Sequence, residues 1–491
     1  MSSEPGLASA FAGLDGLCKA EVWPLEVGKV RERPNRLEAT YYASAGYTAM
    51  EALYQSGYEL TTVGKLARVL WFGPFARRYV DDPERGLPFL SSSHMMEARP
   101  RDYPLISLKH TRNLARYQVR EGQILISRSG TIGNVALVTK DLDGFAVSEH
   151  AIRVIPKDPL DLGLLYCYLQ SALGQFLLKR STSGSVVTSI YEADVASLPI
   201  PKLPLELRRD LTERIRKVSA LRVEANRLLD EAERMVQEQL DLPPMEDFTS
   251  TQSSSGATTF NVSAAKRVSR QIEYGQQRLD ATFYDPAVAA LREHLTASAA
   301  IPLSRLLSEI RNSNLRKRVY VDDPDYGVAL MGGRQLTQLR PAPIAWLSRF
   351  ATKGLSSERV QENWILVSCG GTVGRVSMVD RHTSGIVYTQ DVMRVICNPK
   401  KTYPGFIYAF LESAYGRTQL LSASYGSVQK KLRTFHTGDI LIRLPSDDGA
   451  SIHQKVCEAF DARATAADVE DSAYARFADA LKESKNTPVS A

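Results

Sequence analysis

Long apolar runs, paired cysteines and one-sided charge are all missing from this chain of 491 residues. No segment of 18 apolar residues occurs, so a membrane-spanning helix is not expected. The opening Met-Ser-Ser-Glu-Pro-Gly has no basic run leading into an apolar core, so a secretory leader is not expected either. The five cysteines, Cys18, Cys167, Cys369, Cys397 and Cys457, are too dispersed for a disulfide framework or a zinc cluster, and a reducing cytoplasm is the expected compartment. Seven histidines are scattered with no His-Glu-x-x-His or His-x-His spacing, so no metal site is expected. A net charge of +6 admits a polyanionic partner without demanding one. With 44% apolar and 24% charged residues the composition is globular, which excludes wholesale disorder.

Catalytic signatures are equally scarce. No Gly-x-Ser-x-Gly elbow offers a nucleophile, and no Asp/Glu/Lys constellation suggests a nuclease. Gly130-Thr-Ile-Gly133 and Gly371-Thr-Val-Gly374 lack a following Lys-Ser/Thr and run into β-type sequence where a phosphate cradle needs a helix. They predict hairpin turns. The Asn/Asp-Pro-Pro-Tyr/Phe motif of enzymes that methylate base amino groups is absent; Asn398-Pro-Lys-Lys401 lacks the second proline and the aromatic.

What the chain does contain is itself, twice. Ile124-Leu-Ile-Ser-Arg-Ser-Gly-Thr-Ile-Gly-Asn-Val-Ala-Leu-Val138 returns 241 positions later as Ile365-Leu-Val-Ser-Cys-Gly-Gly-Thr-Val-Gly-Arg-Val-Ser-Met-Val379. Arg36–Tyr42 returns as Arg278–Tyr284, Tyr79-Val-Asp-Asp-Pro83 as Tyr320-Val-Asp-Asp-Pro324, Ile152–Ile155 as Met393–Ile396, and Gly184-Ser-Val186 as Gly426-Ser-Val428. A period this long means two whole domains, each able to bury its own core. The Asp-Asp-Pro strings predict turns.

Each copy mixes short β-type runs, such as Ile124–Ser127, Val135–Val138 and Ala151–Ile155, with one helix, predicted over Leu162–Leu178 and again over Pro404–Leu421. The predicted class is α+β, two tandem mixed domains each followed by a long helix. Between Leu205 and Leu240 apolar residues recur at steps of three and four with no glycine or proline, close to the coiled-coil period. A segment after the second copy repeats the pattern with more alanine, which allows close approach, so the two helices are expected to pack together. The divisions are then an unassigned segment 1–35, a first domain 36–204, a central helix 205–240, a flexible polar linker 241–265, a second domain 266–445 and a C-terminal helix 449–485.

Basic residues gather beside the expected loops. Lys179 and Arg180 adjoin a Ser/Gly loop with Ser183, Ser185 and Thr188; Lys430, Lys431 and Arg433 adjoin its counterpart with Ser427 and Gln429; Arg316, Lys317 and Arg318 form a third cluster. Hydroxyls beside cations suit phosphate oxygens and base edges alike. With the hairpin residues Arg128, Ser129, Thr131, Thr372 and Arg375, these are the candidate DNA-binding residues. Leu211, Ile215, Val218, Ala225, Val456, Val469 and Phe477 on the helix seams are the candidate partner-binding residues.

Taken in order, the Arg36–Tyr42 and Arg278–Tyr284 openings, the Ile-Leu-Ile/Val-Ser-x-x-Gly-Thr-Ile/Val-Gly strings, the Gly-Ser-Val loops and the domain-helix-domain-helix succession resemble the DNA-specificity subunit of type I restriction-modification systems. The resemblance covers about residues 36–485. It implies two target-recognition domains on helices paired as an antiparallel coiled coil, with pseudo-two-fold symmetry. It also implies a phage-defence role without catalysis or cofactor in this chain. The implied partners are double-stranded DNA, a methyltransferase subunit in two copies carrying S-adenosylmethionine, and a motor/nuclease restriction subunit. A helix of 36 residues is a rod of about 54 Å, longer than the roughly 34 Å of one DNA turn, so it would hold the domains apart over a bipartite target. Loop residues differ between copies, which predicts an asymmetric target, with Arg128 and Gln429 set for bidentate contacts to guanine and adenine. The alternative is a scaffold whose repeated domains grip protein and whose basic loops are solvent decoration.

Overall fold

The structure, a computed structural model, describes residues 50, 53–180, 189–249, 265, 281–315, 317–426 and 429–483. The segment 1–35, the Arg36–Tyr42 motif, most of the 241–265 linker, and Ser183, Ser185, Thr188, Arg316 and Ser427 lie outside the described residues.

The strings that revealed the repeat build the centre of each domain. Ile124-Leu-Ile-Ser127 and Val135-Ala-Leu137 are wholly buried, and left-handed Gly130 and Gly133 (φ 79° and 82°) turn the chain between them, so the segment folds back as an antiparallel hairpin. The central sheet of the first domain has strands β1 (Ala67–Leu70), β2 (Ile124–Ser127), β3 (Val135–Leu137) and β4 (Ala151–Pro156), in spatial order β1-β4-β2-β3, antiparallel throughout. A second sheet orders Tyr79–Val80, Leu105–Ser107, Gly86–Leu90 and Ala146–Val147, its last pair parallel. The second domain repeats this with β5 (Leu307–Asn312), β6 (Ile365–Ser368), β7 (Val376–Met378) and β8 (Val392–Cys397) in order β5-β8-β6-β7, and its second sheet has the same order and the same parallel pair. The repeat is therefore a repeat of topology. Both Asp-Asp-Pro strings lie in turns, with Asp82 and Asp323 accepting from the amides of Glu84 and Asp325 at 2.9 Å.

Each predicted single helix is in fact two: α1 (Leu162–Gln170) with α2 (Ala172–Arg180) in the first domain. The break is at Ser171, whose hydroxyl donates to the Tyr168 carbonyl at 2.6 Å and accepts from the Gly174 amide at 3.1 Å. Serine side chains compete with the helix ladder in this way. Gly174 also packs against the Tyr168 carbonyl, where no Cβ fits.

The long helix α3 (Leu205–Gln239) follows, with α4 (Pro404–Glu412) and α5 (Ala414–Ala423) in the second domain and α6 (Ala450–Glu483) at the end. The break between α4 and α5 falls at Ser413, which caps α5 through the Gly416 amide. No helix among the described residues is long and apolar enough to cross a membrane.

α3 and α6 lie antiparallel: Arg214 donates to Ser472 (3.0 Å), Arg463 to Asn226 (3.1 Å) and Gln239 to Ser451 (3.0 Å), later positions on one meeting earlier positions on the other. Each end of the pair seals one domain. Leu211, Ile215 and Phe477 join the core of the first domain, and Ala225 and Val456 that of the second. This corrects the partner-binding expectation. Leu211, Ile215, Val218, Ala225, Val456 and Phe477 are buried inside the chain itself and Val469 is half-buried, so a partner docking on the helices must meet other residues. The linker is also less free than its composition suggests. Met245–Thr249 is helical, Leu242 and Phe248 are buried in the second domain, and the Tyr415 hydroxyl donates to the Pro243 carbonyl at 2.8 Å.

Two contacts fix the domains on the rod and on each other. Buried Glu470 of α6 accepts from Arg222 of α3 (2.7 Å) and from Tyr166 of α1 (2.8 Å), with Arg340 of the second domain 3.6 Å away. Burial and then the Glu470 charge push the Tyr166 hydroxyl up to about 12, so it remains a donor. At the centre of the molecule the Ala98 amide donates to the Thr337 carbonyl (2.7 Å) and the Leu339 amide to the Met96 carbonyl (2.9 Å), around the bridge Glu97–Gln338. All three pairs match at the 241-residue period, as do Arg99 on Asp230 and Arg340 on Asp471, so this is a pseudo-two-fold axis. The rod does not simply hold the domains apart: they touch at that axis.

Candidate nucleic-acid interface

The hairpin turns are braced from below. The Ser127 hydroxyl donates to the Thr131 carbonyl (2.5 Å) and accepts from the Asn134 amide (2.9 Å); Ser368 does the same with Thr372 (2.6 Å) and Arg375 (2.9 Å). Each hairpin is held beside the loop that follows the helix pair: the Ile190 amide donates to the Arg128 carbonyl (3.1 Å), and the Leu432 amide to that of Cys369 (2.9 Å). In the second domain Tyr425 and Lys431 exchange two backbone hydrogen bonds, and Lys431 bridges to Gly370 of the hairpin. In the second domain the hairpin turn thus adjoins the described part of the Ser/Gly loop singled out in sequence, and in the first it adjoins the residues that follow that loop.

On that common scaffold the two copies place different chemistry. In the first, the Arg128 guanidinium lies between Trp71 (4.3 Å) and Tyr191 (4.8 Å), its Nε buried with no acceptor among the described residues. Beside it Ser129 and His150 share a hydrogen bond of 2.6 Å. In the second, the positions of Trp71, Arg128, Ser129, His150 and Tyr191 hold Asn312, Cys369, Gly370, Asp391 and Arg433. Asn312 donates to the Cys369 sulfur at 3.1 Å, and Arg433 stacks on Tyr425 (4.8 Å) and donates to its hydroxyl (3.0 Å). Burial pushes the Cys369 thiol up to about 11, so it is not a thiolate. A Cβ at Gly370 would press on the Asp391 carboxylate, so a larger residue there would displace that side chain.

Both turns open into one cleft of about 840 Å³ across the pseudo-two-fold axis, lined by Gly130, Thr131 and Asn134 from one domain and Gly371, Thr372, Arg375, Asp391 and Gln429 from the other. Thr131, Thr372, Lys179, Lys317, Gln429, Lys430, Lys431 and Arg433 are exposed, Ser129 and Arg128 half-buried, and Arg180 ends α2. Arg375 and Arg318, like Ser129 and Arg433, already have partners in the protein. Arg375 holds Glu97 across the axis (2.8 Å) and donates to Thr337 (2.9 Å), and Arg318 donates to Gln390. Burial raises the Glu97 carboxyl even against Arg375. Sequence reading missed Trp71, Tyr191, His150, Asn312, Asp391 and Tyr425. The run Trp71-Phe-Gly-Pro-Phe-Ala-Arg-Arg-Tyr79, aromatics interleaved with arginine, was the available signal. Among the described residues no group of three or more His, Cys, Asp or Glu could hold a metal.

Residues 86–220 match the family model described as the type I restriction modification DNA specificity domain. The match runs from the second sheet of the first domain through its hairpin into α3, and lies within the span of the resemblance carried by the motifs. Similar solved structures include the S subunit of a type I restriction-modification system from M. genitalium, at 13% identity and TM-score 0.28 over 87% of this chain and 94% of that one. Another is the HsdS subunit from Thermoanaerobacter tengcongensis, at 15% identity and TM-score 0.25 over 88% and 95%. No curated protein matches the sequence.

Proposed function

We propose that this chain is the non-catalytic, sequence-reading subunit of a cytoplasmic DNA adenine methyltransferase and restriction complex, each domain reading one half of an asymmetric bipartite target. The observation that carries the reading is the pair of equivalent scaffolds with unlike residues at the five equivalent positions. Arg128, fixed between two rings, suits the acceptors of guanine, whereas Asp391 suits an exocyclic amino group. Lys179, Lys430 and Lys431 would register the domains on phosphates. Two methyltransferase copies would dock on the outer faces of the α3–α6 pair, supply S-adenosylmethionine, and extrude the adenine they modify; a motor/nuclease subunit would join them.

Selection from a random duplex pool, with the methyltransferase present, is expected to return two unlike half-sites at one fixed spacing. Identical inverted half-sites would refute asymmetric reading, and methylation by the purified chain alone would refute the division of labour. Absence of any specific DNA retention would favour a protein scaffold.

A further inference from the structure

The first domain carries a second basic surface that none of the reading residues uses. A cleft of about 940 Å³ is lined by Arg78, His110, Arg112 and Arg116 around Phe75, Tyr79 and Tyr117. The floor is rigid, since Phe75 stacks on Tyr117 with ring centres 3.8 Å apart and the Tyr117 hydroxyl is tied to the Gly73 carbonyl at 3.2 Å. No carboxylate lines the cleft, and among the described residues none pairs with Arg78, Arg112 or Arg116, all of which are exposed. Elsewhere several arginines, among them Arg77, Arg99, Arg101, Arg208, Arg222 and Arg227, do hold acids. Unpaired like charges crowded on one face repel each other and are stabilised by a polyanion.

The cleft adjoins the reading head. The Arg116 guanidinium lies 4.6 Å over Phe72, the neighbour of the Trp71 ring on which Arg128 stacks. The repeat supplies an internal comparison. Where the first domain has Arg78, Lys109, His110, Arg112 and Arg116, the second has Val319, Phe350, Ala351, Lys353 and Ser357, with Phe350 84% exposed. Of these five positions the second domain keeps a basic side chain at one, Lys353, so the shared fold does not require the others.

We infer that this cleft binds the phosphodiester backbone of duplex DNA flanking the half-site read by the first domain, so that this domain carries more of the sequence-independent affinity than its twin. The inference rests on the DNA-reading proposal and adds to it where the duplex runs and which domain anchors it. The test measures binding of the full-length chain to a random-sequence duplex several helical turns long, as a function of salt. Arg78→Ala/Arg112→Ala/Arg116→Ala is expected to make the slope of log K against log salt shallower by about 2.7, about 0.9 for each phosphate that is no longer neutralised. Between about 50 and 200 mM salt the variant would then lose about 40-fold less affinity than the parent. The triple Arg→Lys variant keeps the charges and should keep the slope. An unchanged slope in the alanine variant, an equal loss in the lysine variant, or an effect confined to single-stranded DNA overturns the inference while leaving the reading head intact. If the parent chain binds no duplex at any salt, both proposals fall.

Discussion

Arg128 and Cys369 stand at the same point of the same scaffold, and nothing in the backbone prefers one to the other. Their hairpins are closed by the same serine bonds, and their amides are held alike by the carbonyls of His150 and Asp391 at 2.8 Å. What each residue can do is set by its neighbours. Trp71 and Tyr191 confine the guanidinium to a plane, so it meets a base with little rotamer entropy left to lose. Arg128→Ala is expected to weaken target binding by about 1–3 kcal/mol and to relax preference at one base pair of one half-site. Arg128→Lys should not restore it, because an ammonium has no plane to stack. Titration against single-base variants of the target reads both effects. Asp391→Asn replaces an acceptor by a group that can also donate, so it should alter preference in the other half-site and leave the first unchanged.

At the scale of elements, the domains are mounted on the rod by close approach and by one buried charge. At Gly163 the start of α1 lies against the backbone of α3 at Leu211 and Thr212, and its amide donates to the Thr212 hydroxyl at 3.0 Å. Gly163→Ala puts a methyl group into that backbone, and a cost of about 1–3 kcal/mol is expected, seen as a lowered urea midpoint. The Arg222–Glu470 pair is sealed from water, with side-chain exposures of 7% and 0%. Burial opposes the Arg222 charge, yet Glu470 and the surrounding hydroxyls hold the guanidinium above its usual value. Glu470→Gln strands that charge and should cost about 3–5 kcal/mol, whereas Arg222→Met with Glu470→Leu should recover most of it. Thermal unfolding of the two variants against the parent decides. The equivalent of Arg222 at the repeat period is Arg463, which donates to Asn226 and forms no ion pair among the described residues, and the equivalent of Glu470 is Leu229, so the Arg222–Glu470 pair is not duplicated and distinguishes the register of two otherwise similar helices.

For the whole molecule, the axis between the domains is where a repeat in sequence becomes a dyad in space. Glu97 and Gln338 meet there as equivalents, and only the first can ionise. Because burial raises the Glu97 carboxyl above its ordinary 4.5, the folded state keeps that proton to higher pH than the unfolded chain does. This group therefore favours folding most in acid, and its contribution declines as pH rises from 4.5 through the folded value. Glu97→Gln makes the axis symmetric and should remove that part of the decline. The difference between parent and variant urea midpoints across mildly acidic pH measures it. A variant as pH-dependent as its parent would show that Glu97 ionises freely. The salt dependence expected of the Arg78 cleft belongs to this scale too, since it makes one half of a near-symmetric molecule the anchor.

Strand identity, hairpin turns, the tandem repeat and both long helices were legible in the residues, because periods of 2 and 3.6 and paired glycines are local signals. Ser171 and Ser413 broke the expected helices through side-chain bonds that hydropathy does not register. Leu211, Ile215 and Phe477 read as a docking seam, because an apolar stripe announces that it will be covered without saying by what. Arg128 was found in sequence, but its rings were not. Trp71 and Tyr191 are 57 and 63 residues from it and meet it only through the β1-β4-β2 sheet and the loop after α2. Local chemistry thus determined the elements and their duplication. Which residues share a surface, which arginines already hold acids, and that the two domains touch at an axis were decided by tertiary packing, since they depend chiefly on contacts between positions distant in the chain, such as Arg128 with Trp71 and Arg222 with Glu470, whose free energy no local pattern encodes.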